Sequence, residues 1–95
     1  MIVGTLQINF RLYGVTSLKA KRKISNSLKQ KLKNKFNLAV AETGFIDNLD
    51  YLEVAMVTLA NEKVRVEEIL NKALAMVEAI TADEIIEVKI DVFGA

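Results

Sequence analysis

Two hydrophobic periods take turns along this chain, and their order leaves few ways to fold it. Apolar residues recur at every second position in four segments and at every third or fourth position in two others, giving the order β-α-β-β-α-β. In residues 2–12, Leu6, Ile8, Phe10 and Leu12 fall on one side of a strand, and Thr5, Gln7, Asn9 and Arg11 on the other. Gly14 offers a turn and Ser17 an N-cap, after which Ala20, Ile24, Leu28, Leu32 and Phe36 mark a helix over 18–36. A short strand over 37–41 sets Leu38 and Val40 on one side. The turn-rich stretch from Glu42 to Asp50 reads as a hairpin connection, and a third strand covers 51–60. Asn61 can cap a second helix over about 62–80, with Val66, Ile69, Leu70, Ala73, Val77 and Ile80 as its stripe. A last strand over 85–93 alternates Ile86, Val88, Ile90 and Val92 against Glu87, Lys89 and Asp91.

Each helix stripe must be buried once, and strand-to-strand crossovers through a helix are right-handed. The predicted fold is therefore α+β: a ferredoxin-like βαββαβ sandwich, with a four-stranded antiparallel sheet and both helices on one face. Ninety-five residues suffice for one such domain, spanning 1–95. The opposite face is left open, lined by Gln7, Asn9 and Arg11, then Ala55, Val57 and Leu59, then Glu87, Lys89 and Asp91. An apolar centre at Ala55, Val57 and Leu59 predicts that this face, or an edge strand next to it, contacts a second copy in a homodimer.

Charge is segregated as sharply as hydrophobicity. Residues 1–41 carry nine cations and no carboxylate; residues 42–95 carry all twelve carboxylates and four cations, Lys63, Arg65, Lys72 and Lys89. The net charge of +1 thus conceals halves of about +9 and −8. On a helical wheel Arg22, Lys29 and Lys33 fall nearly on one line, with Lys19 and Lys23 beside them and Lys21, Lys31 and Lys35 flanking the apolar stripe. Such a ridge suits a phosphate backbone, whose recognition is electrostatic and blind to sequence. Lys19, Arg22, Lys23, Lys29 and Lys33 are accordingly the candidate phosphate-facing residues, and the RNA-binding ones if that phosphate backbone is an RNA. The competing reading is a solvated lysine-rich face, balanced by the acidic part of the same molecule.

Other chemistries find little support. With no His and no Cys, the commonest general base and the best thiol nucleophile are missing, so no enzyme is expected. Gly4 and Gly14 stand alone, and no glycine-rich loop cradles a phosphate. Glu42, Asp47, Asn48 and Asp50 cluster near the hairpin loop without a recognised cation-ligand spacing; backbone bonding within the turn is the better account. No metal or cofactor is therefore expected. Base stacking on the sheet would need rings at the strand centres, where Gln7, Asn9, Ala55 and Val57 stand instead; Tyr13 and Tyr51 occupy strand ends. The N-terminus lacks a signal-peptide pattern, no apolar run approaches the ~20 residues of a membrane span, and no cysteine suggests disulfides, which points to a cytoplasmic protein away from membranes.

Several stretches resemble the DUF503 or YlxP-like family of small bacterial proteins. They are Met1-Ile2-Val3-Gly4, Ser17-Leu18-Lys19-x-Lys21-Arg22, Ser27-Leu28-Lys29 and Lys35-Phe36-Asn37-Leu38-Ala39-Val40-Ala41-Glu42, together with Asp47 and the second-helix pattern. The resemblance covers nearly the whole length. It departs at Tyr13, near which a Pro is often found, and at Phe45, where a His is common. It implies a ferredoxin-like fold and no established activity, and genes that often lie among those for translation initiation and ribosome maturation. The expected function is a non-catalytic binding module, with ribosomal RNA or a ribosomal subunit as partner. The alternative is a self-associating structural or regulatory (small-molecule-sensing) domain with no nucleic-acid role.

Overall fold

The computed structural model describes all 95 residues. Its elements are β1 (Ile2–Arg11), α1 (Leu18–Lys35), β2 (Ala39–Gly44), β3 (Tyr51–Ala60), α2 (Lys63–Ile80) and β4 (Glu84–Gly94). The strands form one antiparallel sheet in the order β2-β3-β1-β4. First and last strands are adjacent, and both helices bury their stripes in a single core with Leu6, Ile8, Phe10, Leu52, Val54 and Met56 of the central strands. This is the expected ferredoxin-like sandwich.

Local chemistry sets the element ends. Ser17 takes an extended conformation, and its Oγ accepts the Ala20 N–H at 3.1 Å, capping α1. Lys33 and Lys35 in the last turn oppose the negative end of its dipole. Three details differ from the sequence reading. Glu62, not Asn61, is the N-cap of α2, and its side chain makes no cap hydrogen bond. β2 runs to Gly44, because Ala39 to Glu42 pair with β3 in register and the pairing resumes at Gly44 beyond a bulge. In β4 a register shift between Asn9 and Phe10 sets Ile85 opposite Phe10 and Glu87 opposite Asn9, so Ile86 is the extra residue rather than the start of the alternation.

The helix stripes are also redrawn. The buried residues of α1 are Lys21, Ser25, Leu28 and Leu32, while Ala20, Ile24 and Phe36 lie at the margin. In α2 the buried line is Val66, Leu70, Ala73 and Val77; Ile69 is half-buried and Ile80 exposed.

The approach of α2 to the sheet is set by Gly4. This residue lies on the helix side of β1, between Thr58 and Val92. A Cβ there would stand 2.8 Å from Leu70 Cδ1 and closer still to Val66 Cγ1. Even a methyl group would have to push α2 outward. Gly4→Ala should therefore destabilise the protein by about 1–3 kcal/mol. Urea unfolding should show this as a lower midpoint with an unchanged slope.

Candidate functional site: the basic face of α1

Eight cations lie on α1, and the structure divides them unequally. Lys21 is 1% exposed and points into the molecule. Its Nζ lies 3.5 Å from Glu42 Oε2 on β2, whose side chain is 14% exposed, and it donates a hydrogen bond to the Phe45 carbonyl. Phe45 is the one non-glycine residue with positive φ, at 55°, so Lys21 anchors the turn at its least favourable backbone position. Lys21 therefore belongs to the core rather than to its flank. Burying a charge is costly unless it is paired, and here one carboxylate and one carbonyl answer it.

The other seven cations have no carboxylate within salt-bridge distance; the only further ion pairs in the protein are Arg11–Asp50 and Lys89–Glu87. Lys19, Arg22, Lys23 and Lys33 are exposed and Lys29 half-buried. Ile24, Ser27, Leu28 and Lys31 face the end of α2, where they line a cleft with Ile80 to Asp83. Arg22, Lys29 and Lys33 fall within about 40° of one another and roughly half a turn from Lys31. They form a ridge on the flank of α1 turned away from α2, on the side of β2. Lys19 and Lys23 stand on the outer crest. The five sequence candidates thus share one continuous surface.

Glu67, Glu68 and Glu78 share the helix layer on α2, and Asp83 lines the cleft with Lys31, yet none of them makes an ion pair with α1. Glu53, Glu87 and Asp91 project from the open sheet face with the core between them and α1, as cross-strand pairing with Asn9 and Thr5 requires of Glu87 and Asp91. Compensation from within the molecule reaches Lys21 and stops there. Like-charged neighbours at Lys19/Lys23, Lys29/Lys33 and Lys31/Lys35 each cost some ~0.2–0.5 kcal/mol in an isolated helix.

Other candidate sites fare differently. The Tyr13 and Tyr51 rings already hold the Arg11 guanidinium, at 4.7 and 5.4 Å from their centroids, and Phe45 packs on Tyr51 at 5.3 Å. Asn48 Oδ1 accepts the Asp50 and Tyr51 N–H groups at 2.8 and 3.2 Å, the backbone bonding expected of that turn. Ala55, Val57 and Leu59 do lie on the open face, where Val3 pairs with Leu59 and with Phe93. The apolar area is a corner of that face, because Gln7, Glu53 and Thr43 form a hydrogen-bonded polar cluster beside it. The cleft between the helices holds about 140 Å³, small against the ~300–1,000 Å³ usual for ligand sites.

What sequence periodicity missed was the burial of Lys21 and Ser25. Their signal was present: with Leu28 and Leu32 they continue the helical spacing at i, i+4, i+7 and i+11. Ser25 Oγ is buried with no hydrogen-bond partner. Ser25→Ala should consequently stabilise the protein by about 1 kcal/mol, since it removes an unsatisfied hydroxyl and improves helix propensity. Glu42→Ala leaves the Lys21 ammonium with a single carbonyl and should cost about 3 kcal/mol. Lys21→Met should cost less, because Glu42 retains access to water. Chemical denaturation of the three variants orders them.

Comparison with known proteins agrees with this architecture. The family described as a protein of unknown function, DUF503, matches residues 3–90, and the chain belongs to it. The uncharacterized protein YlxP of Bacillus subtilis (strain 168) is 24% identical over 78 residues, which cover 82% of this chain and 85% of that one. Among solved structures, protein At3g17210 of Arabidopsis thaliana is similar over 98% of this chain and 94% of its own, with a TM-score of 0.50 and 12% identity. The VAO-type flavoprotein MtVAO615 of Myceliophthora thermophila C1 is similar over 97% of this chain, with a TM-score of 0.53 and 15% identity; the match spans 16% of the flavoprotein. Both likenesses concern the fold alone.

Proposed function

We propose that this DUF503 protein is a non-catalytic module that binds the phosphate backbone of RNA in the cytoplasm through the outer face of α1. The observation behind this reading is the seven cations of α1 that no carboxylate of the protein answers. A helix that keeps such charges side by side is relieved of mutual repulsion when a polyanion lies along it and releases its counterions. Lys19, Arg22, Lys23, Lys29 and Lys33 would supply the contacts.

The placement of these residues favours backbone contact over base reading. They are long, flexible and solvent-facing, and the rings nearest the strand ends are occupied by Arg11. No helix is long and apolar enough to cross a membrane. The gene setting implied by the family resemblance makes ribosomal RNA or a ribosomal subunit the first polyanion to try.

The test is the salt dependence of binding. Each phosphate contact contributes ~0.7–0.9 to the slope of log affinity against log salt. Changing Arg22, Lys29 and Lys33 together to Gln should flatten that slope by about two units on structured RNA, since none of the three is fully buried. The matching triple change of Lys63, Arg65 and Lys72, all three on the better-balanced α2, should do much less. Failure of the wild-type protein to bind RNA or ribosomal subunits at low salt, or equal behaviour of the two triple variants, would leave the α1 face as a solvated surface.

A further inference from the structure

β4 is a long edge strand, blunted only by the charges on its open face and by a bulge. It is the longest strand of the sheet, at 11 residues, and pairs only with β1, so its outer row of N–H and C=O groups has no partner in the chain. The other edge strand, β2, has six residues and ends in an irregular pairing. No proline interrupts β4, and its bulge falls near its beginning.

A second feature lies on its helix side. Val88 and Ile90 pair with Ile8 and Leu6 and so face the helix layer, yet they are 39% and 47% exposed. Ile85 and Val92, toward the two ends of the strand, pack against the core. The middle of β4 therefore presents apolar side chains that neither helix covers, beside an unpaired backbone edge.

A third feature fits these two to one occupant. The run Glu87-Val88-Lys89, next to the bulge at Ile86, is complementary to itself when read in the opposite direction. Antiparallel pairing of two copies about Val88 sets Ile86 opposite Ile90, Glu87 opposite Lys89 and Val88 opposite Val88. The Glu87–Lys89 and Val88–Val88 pairs are favourable and lie on the regular part of β4, whereas Ile86 belongs to the bulge and Ile85 falls opposite Asp91 beyond it. Centring the pair on Lys89 instead opposes Lys89 to itself and Glu87 to Asp91. Centring it on Ile90 keeps a Lys89–Asp91 match and opposes Val88 to Val92 and Ile90 to itself, but it sets Glu87 against Phe93 and so leaves the carboxylate of each copy without a cation across the seam.

We infer that β4 is a self-pairing edge, through which two copies of this chain join their sheets about a two-fold axis at Val88. The pairing satisfies the free backbone groups, brings the exposed Val88 and Ile90 of both copies together, and closes the interface because each strand is used once. It is independent of whether α1 binds RNA.

Charge reversal tests both the edge and the register. Sedimentation of the wild-type protein should report a dimer. By the two-fold symmetry, Glu87→Lys or Lys89→Glu alone replaces two attractive pairs by two repulsive ones, and each should weaken the dimer about tenfold or more. The double variant E87K/K89E restores the match and should recover the wild-type dissociation constant, which separates a lost contact from a lost fold. The chain has no cysteine, so Val88→Cys introduces one thiol per copy. A short bifunctional thiol reagent should link that variant into a covalent dimer and leave Ile90→Cys largely monomeric. The inference is overturned if the wild-type protein stays monomeric at high concentration, or if the double variant associates no better than the single ones. It is equally overturned if Ile90→Cys is linked in preference to Val88→Cys. Dissociation by Val57→Lys with no response to either charge reversal would also overturn it, and would assign the interface to the open sheet face instead.

Discussion

One-sided burial governs this molecule. The central strands β1 and β3 place Leu6, Ile8, Phe10, Leu52, Val54 and Met56 under two helices, and those residues form most of the sheet's share of the core. At roughly 25 cal/mol per Å² of apolar surface removed from water, this contact is the main stabilising term available to a domain with no disulfide. The helix layer must therefore sit close, and Gly4 is where that closeness is read most directly. Everything that the two helices do not reach is left to water or to a partner: the open face, the outer side of α1, and the middle of β4.

The same geometry explains why the charge asymmetry is not neutralised internally. Every cation before position 36 except Arg11 is on α1, above one face of the sheet, whereas Glu53, Glu87 and Asp91 project from the other. Of the strands, only β2, which passes beneath α1, carries a carboxylate on the helix side, and Glu42 there takes Lys21; Glu67, Glu68 and Glu78 of α2 share the helix layer but make no ion pair with α1. Charges on opposite sides of the core are also separated by distances over which physiological salt screens exposed pairs, since the Debye length is about 8 Å. The near-zero net charge is thus a poor guide to the field outside α1. A flexible polyanion approaching that face meets a cationic ridge; one approaching the open face meets carboxylates.

The architecture was legible in the sequence because hydrophobic period and topology constrain each other. Ile8 and Phe10 can be core only if Gln7 and Asn9 are not, and two helical stripes between alternating strands admit one sandwich. The details that escaped are those where a local pattern competes with a tertiary partner. Lys21 reads as a solvent cation until Glu42 is brought beneath it. Asn61 reads as an N-cap, yet the helix begins one residue later. Ile86 reads as the start of an alternation, but a bulge opposite Phe10 takes it out of register. Of the candidate site, Lys19, Arg22, Lys23, Lys29 and Lys33 could be found because helical spacing alone puts them on one surface. Their lack of carboxylate partners could not, since an ion pair depends on how elements pack, and no spacing rule along the chain reports it.

The two proposed surfaces lie at opposite margins of the sheet, and this has a consequence for affinity. In the order β2-β3-β1-β4, pairing through β4 leaves β2 and the nearby ridge of α1 at the outer flank of each copy. With strands ~4.8 Å apart, an eight-stranded joint sheet separates its two outermost strands by about 34 Å. Two ridges held at that distance can engage one polyanion together only if it is long or folded enough to span the gap. The second contact then becomes intramolecular, and avidity can exceed the affinity of one ridge by ~10²–10⁴. A short oligonucleotide would gain nothing from the dimer. A protein with a modest ridge on a small domain would in this way distinguish large structured RNA from short fragments without reading a single base.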